Sequence, residues 1–368
     1  MLTNPVETLK KVIDQPSGSF DVEDVAKVAH IFKEEFEGLG FAVTMHPGQQ
    51  TGPALECVIG TGSKTLMLMG HMDTVFPHDV YVPFHDNGDG TALGSGINDM
   101  KGGIVIMLYA LKEALPQIDL SKYSIRVILN ADEEIGSPDS HELILESAKN
   151  SFAALSFEPS SWPARLTCAR KGVTSALISC EGIPGHAGAQ YKNCASAIQN
   201  LCAQITKLYS LRDDERDISF NAGFISGGTA ENVVAPSAYC KCEFRYYNEA
   251  YKQMLMDKIT ALCAEEPVPG CKTTVTFSAS HPAIDLNEHS QVLLDHAQAI
   301  VAQQGRTLPH ERVGGAGDIS IAGQAGIGVL DGLGMPGGKM HTVEEFGVIR
   351  DMPLQIELAA KLIQAVCK

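Results

Sequence analysis

The chain has 368 residues, 44% hydrophobic and 20% charged, a composition that excludes a disordered chain and leaves room for one large domain and a smaller one. A net charge of -16 and a pI near 5.1 argue against nucleic acid or an anionic membrane surface as the partner. The first residues lack a basic segment before an apolar core, no run has membrane-spanning length, and the ten Cys have no regular spacing, so a cytoplasmic protein with reduced thiols is expected.

Asn4-Pro5-Val6-Glu7 is a helix start, with Asn4 as N-cap, Pro5 in the first turn and Glu7 completing a capping-box-like pair. The spacing of Val25, Val28, Ala29, Phe32 and Phe36 predicts a helix over 21–37, ended by Gly40. Strands are expected at 41–45, 55–59 and 64–69. The third is the apolar run Leu66-Met67-Leu68-Met69, which stops at Gly70 and presents His71 and Asp73. An Asp two residues from a His can hold the imidazole in one tautomer and free its other nitrogen for a metal. A hairpin turn at Asp86-Asn87-Gly88-Asp89-Gly90 leads to Asn98-Asp99-Met100-Lys101-Gly102-Gly103 and a helix over 104–115. The strand 124–130 ends at Asp132-Glu133-Glu134. A helix over 141–149 and a strand over 154–157 follow, and the strand ends at Glu158-Pro159. This alternation predicts an α/β fold with a mainly parallel, helix-covered sheet. In such sheets chemistry gathers beyond the carboxyl ends of strands, where His71, Glu133, Glu134 and Glu158 all fall.

From about residue 166 the order becomes β-α-β-β-α-β: strands at 173–180, 219–225, 238–246 and 271–278, helices at 195–208 and 249–263. That order predicts an inserted ferredoxin-like α+β lid domain over 167–283, between the two parts of a catalytic domain at 1–166 and 284–368. The first domain resumes with a helix over 289–303, a Gly-rich turn at 314–318, an apolar run at 328–330, His341 in a Gly-rich loop, and a closing amphipathic helix over 354–366.

His71, Asp73, Asp99, Glu133, Glu134, Glu158 and His341 form a set of imidazoles and carboxylates without a thiolate, which suits zinc, cobalt or manganese. The set is large enough for two ions, held about 3.5–4 Å apart by a shared carboxylate. Such a pair binds a hydroxide between the ions, and a further carboxylate is needed to take and pass on its proton. Adjacent Glu133 and Glu134 can divide that work, one as ligand and the other facing the water.

The blocks Gly70-His71-Met72-Asp73, Asn98-Asp99-Met100-Lys101-Gly102-Gly103, Asp132-Glu133-Glu134-Ile135-Gly136-Ser137, Phe157-Glu158-Pro159 and Met340-His341 resemble the signature blocks of a family of di-zinc amidohydrolases. It comprises the aminoacylases, carboxypeptidases of G type, acetylornithine deacetylases and succinyl-diaminopimelate desuccinylases. The resemblance covers nearly the whole chain in order and is closest to the glutamate carboxypeptidase branch. It implies that Asp99 bridges two Zn2+ ions (Co2+ or Mn2+ being possible), next to a cis peptide bond to Met100. It also implies that His71 and Glu158 complete one site and Glu134 and His341 the other, with Glu133 as general base and Asp73 orienting His71. In the lid, Gly185-His186-Ala187-Gly188 resembles the motif whose His stabilises the oxyanion, often across a homodimer interface. The segments around Asn232 and Arg245 resemble those that bind the substrate carboxylate, and Gly314-Gly315 resembles the family's loop whose backbone lines the substrate pocket. His281 stands where the glutamate carboxypeptidases carry a second Arg before a Pro. The implied activity is release of a C-terminal amino acid from a small peptide or N-acyl amino acid. The alternatives are an acetylornithine-type deacylase and a non-catalytic member that binds a metal or ligand.

Overall fold

The computed structural model describes residues 4–278 and 281–368. Two compact units emerge: one of residues up to Cys168 with Leu286–Arg312 and Gly317–Lys368, and a second of Ala169–Asp285 with Val313–Ala316.

The first unit is built on a six-stranded sheet in the order Ala42–His46, Ala54–Ile59, Tyr123–Asn130, Lys64–His71, Ala153–Ser156, Gly328–Leu330. The last four strands run parallel and the first two are antiparallel additions at one edge. The Lys64–His71 strand lies inside the sheet and is buried from Leu66 onward, which is why it reads as an unbroken apolar run rather than an alternating one. Helices Pro5–Ile13, Val22–Gly38, Lys101–Ala114, Glu288–Gln303 and Met352–Val366 contribute apolar faces to one core with the sheet. Helix Pro5–Ile13 has the expected Asn4 N-cap, whose side chain accepts the Val6 N–H at 2.9 Å. Helix Lys101–Ala114 is buried on nearly every face. Its start approaches the backbone so closely that a Cβ at Gly103 would lie 1.9 Å from the Phe157 carbonyl oxygen. Glycine there lets the Asp99 loop and the Glu158 turn come together.

A second, five-stranded sheet of two- and three-residue strands was not predicted. Its order is His85–Asp86, Ala92–Leu93, Phe346–Gly347, Pro336–Gly338, Ser160–Ser161. It ties segments that flank Asp99, His341 and Glu158 although they lie far apart in the chain.

The second unit carries a four-stranded antiparallel sheet in the order Ser219–Gly227, Ser237–Tyr246, Gly172–Glu181, Lys272–Phe277. Ala176, Ile178, Cys180, Cys240, Cys242 and Phe244 alternate inward and share a core with helices Ala197–Leu208 and Ala250–Ala264. All ten cysteines are free thiols. No helix among the described residues is long and apolar enough to cross a membrane.

Candidate metal centre

His71 is the last residue of its strand, with its side chain 1% exposed. Its Nδ1 lies 3.0 Å from the Asp73 carbonyl oxygen and 3.4 Å from Asp73 Oδ1. The backbone carbonyl is thus the nearer anchor of the ring, which leaves Nε2 to face 3.1 Å away to Asp99 Oδ1 and 3.8 Å to Glu158 Oε1.

Asp73 does more than was expected of it. Its carboxylate accepts the Ser19 hydroxyl at 2.7 Å and the backbone N–H groups of Glu133 and Glu134, each at 3.3 Å. One buried carboxylate therefore connects the end of the His71 strand to the turn that carries both glutamates. That turn, Glu133–Ile135, closes at Gly136 with φ 91 and Ser137 with φ 54. Its flanks are fastened by Asp132, which accepts from the Asp139 and Ser140 N–H groups and the Ser140 hydroxyl, and by Asp318, which bonds Ser137 and Asn130.

Asp99 sits just before helix Lys101–Ala114, and its peptide bond to Met100 is cis. While Oδ1 faces His71, Oδ2 lies 3.2 Å from His341 Nε2. That nitrogen is also 3.3 Å from Glu134 Oε2. His341 reaches this position from a loop in which Lys339 and His341 both have positive φ, 57 and 62. Two groups of potential ligand atoms result, each within 4.8 Å: His71, Asp99 and Glu158, and Asp99, Glu134 and His341. Asp99 is common to both.

The electrostatics fit divalent cations. Hydrogen bonds to Asp99 and Glu134 hold the His341 imidazole up to about 10. Burial alone would lower the pKa of His71, yet its bonds to Asp73 and Asp99 raise it well above the ordinary range. Burial raises the Asp99 carboxyl, but the two imidazoles outweigh it and hold the group well below the ordinary range. Carboxylates this crowded draw protons onto both rings, and a cation that displaces those protons meets three-donor sets of nitrogen and oxygen in each group. Burial, with the nearby Glu158, Asp318 and Glu134 carboxylates, raises Glu133 well above its ordinary value against the opposing effect of His71. A carboxyl so placed can hold a proton near neutral pH.

His186, Asn232, Arg245, His281 and Gly315 all belong to the second unit. His186 Nδ1 accepts the N–H groups of Gly188 and Ala189 at 3.1 and 3.3 Å, so the neutral ring carries its proton on Nε2. The backbone carbonyl of Asn232 accepts from Ala187, that of His281 from Val173, and that of Gly315 from Arg170. The Arg245 fork is engaged by Glu243, with Nε at 2.8 Å and Nη2 at 3.3 Å, and Nη1 donates to the Gly314 carbonyl. The period-2 spacing of 243 and 245 on one strand places both on the same face, a signal present in the sequence and not drawn from it. Ser19, Asp318 and Glu345 were missed altogether. Each acts at a distance in sequence, and none sits in a spacing that marks it.

A family model described as peptidase family M20/M25/M40 matches residues 67–365. Carboxypeptidase G2 of Pseudomonas sp. (strain RS-16) is 31% identical over 97% of this chain and 88% of that protein. Among solved structures, a tripeptidase from Staphylococcus aureus superposes with a TM-score of 0.81 at 23% identity, over 99% of this chain and 98% of that one. An M20 family metallo-carboxypeptidase from Sulfolobus solfataricus does so with a TM-score of 0.78 at 16% identity, over 99% of each chain. At these identities the two structures speak for the fold.

Proposed function

The chain belongs to peptidase family M20/M25/M40, a family of metal-dependent hydrolases, and from that premise we propose a di-zinc exopeptidase that releases a C-terminal amino acid from a small peptide or N-acyl amino acid. The observation that carries this reading is the Asp99 carboxylate, whose two oxygens face two different imidazoles. In the proposal His71, Asp99 and Glu158 hold one ion and Asp99, Glu134 and His341 the other.

A bound divalent pair supplies Lewis acidity at the scissile carbonyl and lowers the pKa of water. Glu133 takes the proton from the attacking water as its oxygen joins the carbonyl carbon. It then passes that proton to the amide nitrogen as the C–N bond breaks. His186 donates its Nε2–H to the oxyanion of the tetrahedral intermediate. Arg245 pairs with the free carboxylate of the substrate, exchanging its bond to Glu243 for an equivalent one. Asn232, Gly315 and His281 complete the substrate contacts in this reading, and His281, an imidazole where a guanidinium is expected, relaxes the preference for glutamate.

A panel of dipeptides, N-acyl-glutamates and N-acetyl-ornithine, assayed with zinc-loaded protein, tests the substrate class. Carboxylate-terminated peptides should be cleaved and their C-terminal amides spared, whereas cleavage of N-acetyl-ornithine alone would replace the exopeptidase with a deacylase. Arg245→Ala should raise KM by about 10-fold or more, as expected for a charged hydrogen bond worth about 1.5–3 kcal/mol, with a smaller effect on kcat. Equal KM values for variant and parent would remove Arg245 from the substrate site.

We also propose a homodimer through the second unit. Among the described residues its outer strand Ser219–Gly227 pairs along one side only, and Phe224 and Ile225 on it are 48% and 51% exposed, an edge that invites a partner. Sedimentation should give twice the chain mass of 39.4 kDa; a monomer at micromolar concentration would contradict this.

A further inference from the structure

Glu345 lies four residues after His341 and is 2% exposed. Its Oε1 accepts the N–H groups of Asn98 at 2.8 Å and Asp99 at 3.0 Å, and Oε2 accepts that of Gly96 at 3.0 Å. Its own carbonyl accepts the Gly94 N–H at 3.3 Å, and its own N–H donates to the Thr342 carbonyl at 3.0 Å. The next two residues, Phe346 and Gly347, pair with Leu93 and Ala92. One side chain on the His341 segment thus grips the segment that ends in Asp99 at three backbone points.

A carboxylate suits this place and its neutral analogue does not. Three N–H donors converge on two oxygens, and a Gln would offer one oxygen and turn an N–H2 toward a donor. The buried Lys101 amine, which donates to the Gln15 carbonyl at 2.9 Å and the Tyr81 hydroxyl at 2.7 Å, lies within electrostatic reach of Glu345; burial pushes the lysine down to about 7 and the glutamate up to about 7. Burying a charge without such partners would be costly. The bland alternative is that Glu345 only satisfies buried amides. It predicts lower stability with no selectivity between the two cation groups. Asp99 is common to both groups, so selectivity must come from its partners: His71 is fixed independently through Asp73, whereas His341 lies on the segment that Glu345 ties to the Asp99 loop.

We propose that Glu345 is a positioning residue that locks the Asp99 loop to the His341 loop, so that the cation group of Asp99, Glu134 and His341 is set at ligand spacing before any ion arrives. The inference rests on the metal-centre reading above. Zinc titration calorimetry of metal-free protein tests it without recourse to activity. Glu345→Gln should weaken one of the two ions by about 10–100-fold, as outer-shell partners do, and leave the other within about 3-fold. Glu345→Asp, which keeps the charge but is one methylene shorter, should weaken the same ion and serves if the Gln variant does not fold. In a His341→Ala background, Glu345→Gln should add no further loss. Two ions bound with parental affinity in both Glu345 variants, or equal weakening of both ions, would overturn the positioning role and leave the metal-centre reading intact. A parent chain that takes up no zinc would overturn that reading, and this inference with it.

Discussion

Glu133→Gln is expected to lower kcat by about 10²–10⁴-fold, the usual share of a positioned general base, with both ions still bound. The substitution preserves size and leaves the backbone in place. The contact that seats residue 133 is its own N–H on Asp73 Oδ1, which a Gln also makes. The flanks of the turn are fastened by bonds of Asp132 to Ser140 and of Asp318 to Asn130, which the substitution leaves in place. Glu133 is also absent from both three-residue groups built on Asp99, so removing its charge takes no ligand from either. The variant should therefore separate chemistry from assembly: parental zinc stoichiometry, parental KM where KM reports binding, and a collapsed kcat. Steady-state kinetics beside metal analysis would settle it. A loss of zinc that parallels the loss of rate would make Glu133 a ligand and move the base to another group.

Much of the first unit was legible in the sequence because its central strands are buried on both faces and stop sharply. Leu66–Met69 followed by Gly70 shows where the chain leaves the sheet, and His71 must then stand at its rim. The second unit was legible for a different reason: its strands alternate, so Cys240, Cys242 and Phe244 announce the covered face. What escaped are features with no local period. Pro336–Gly338 and Phe346–Gly347 are too short to show alternation, yet they align the His341 segment with the rest of the site. The supports of the candidate ligands escaped for a related cause. Glu345, Asp73 and Asp318 work largely by accepting backbone N–H groups or small hydroxyls, and an amide looks the same at every position. Asp73 shows the limit well: its place beside His71 could be read from spacing, but its grip on the Glu133 turn, sixty residues later, could not. The Arg245 fork is a milder case, since its occupation by Glu243 follows from strand spacing once the strand is known.

Asp99→Asn should have the largest effect of any single substitution at the centre, because this residue alone belongs to both ligand groups. Each of its oxygens faces one imidazole, Oδ1 toward His71 and Oδ2 toward His341. Asn keeps one oxygen and replaces the other with an N–H2 group, which cannot donate a lone pair to a cation and cannot balance its charge. One group then loses a donor outright and the other keeps a neutral amide in place of a carboxylate. The expected result is that at least one ion is lost and the affinity of the remainder falls by more than about 100-fold, beyond the roughly 10–100-fold typical of an outer-shell partner. Hydrolysis should vanish with it and should not return at raised zinc concentration. His71→Ala and His341→Ala provide the contrast, since each removes a ligand from one group only and should leave one ion in place. If the Asn variant bound two ions as tightly as the parent, Asp99 would not be a bridge. The pair of ions would then be two separate sites, with no shared carboxylate to fix their spacing.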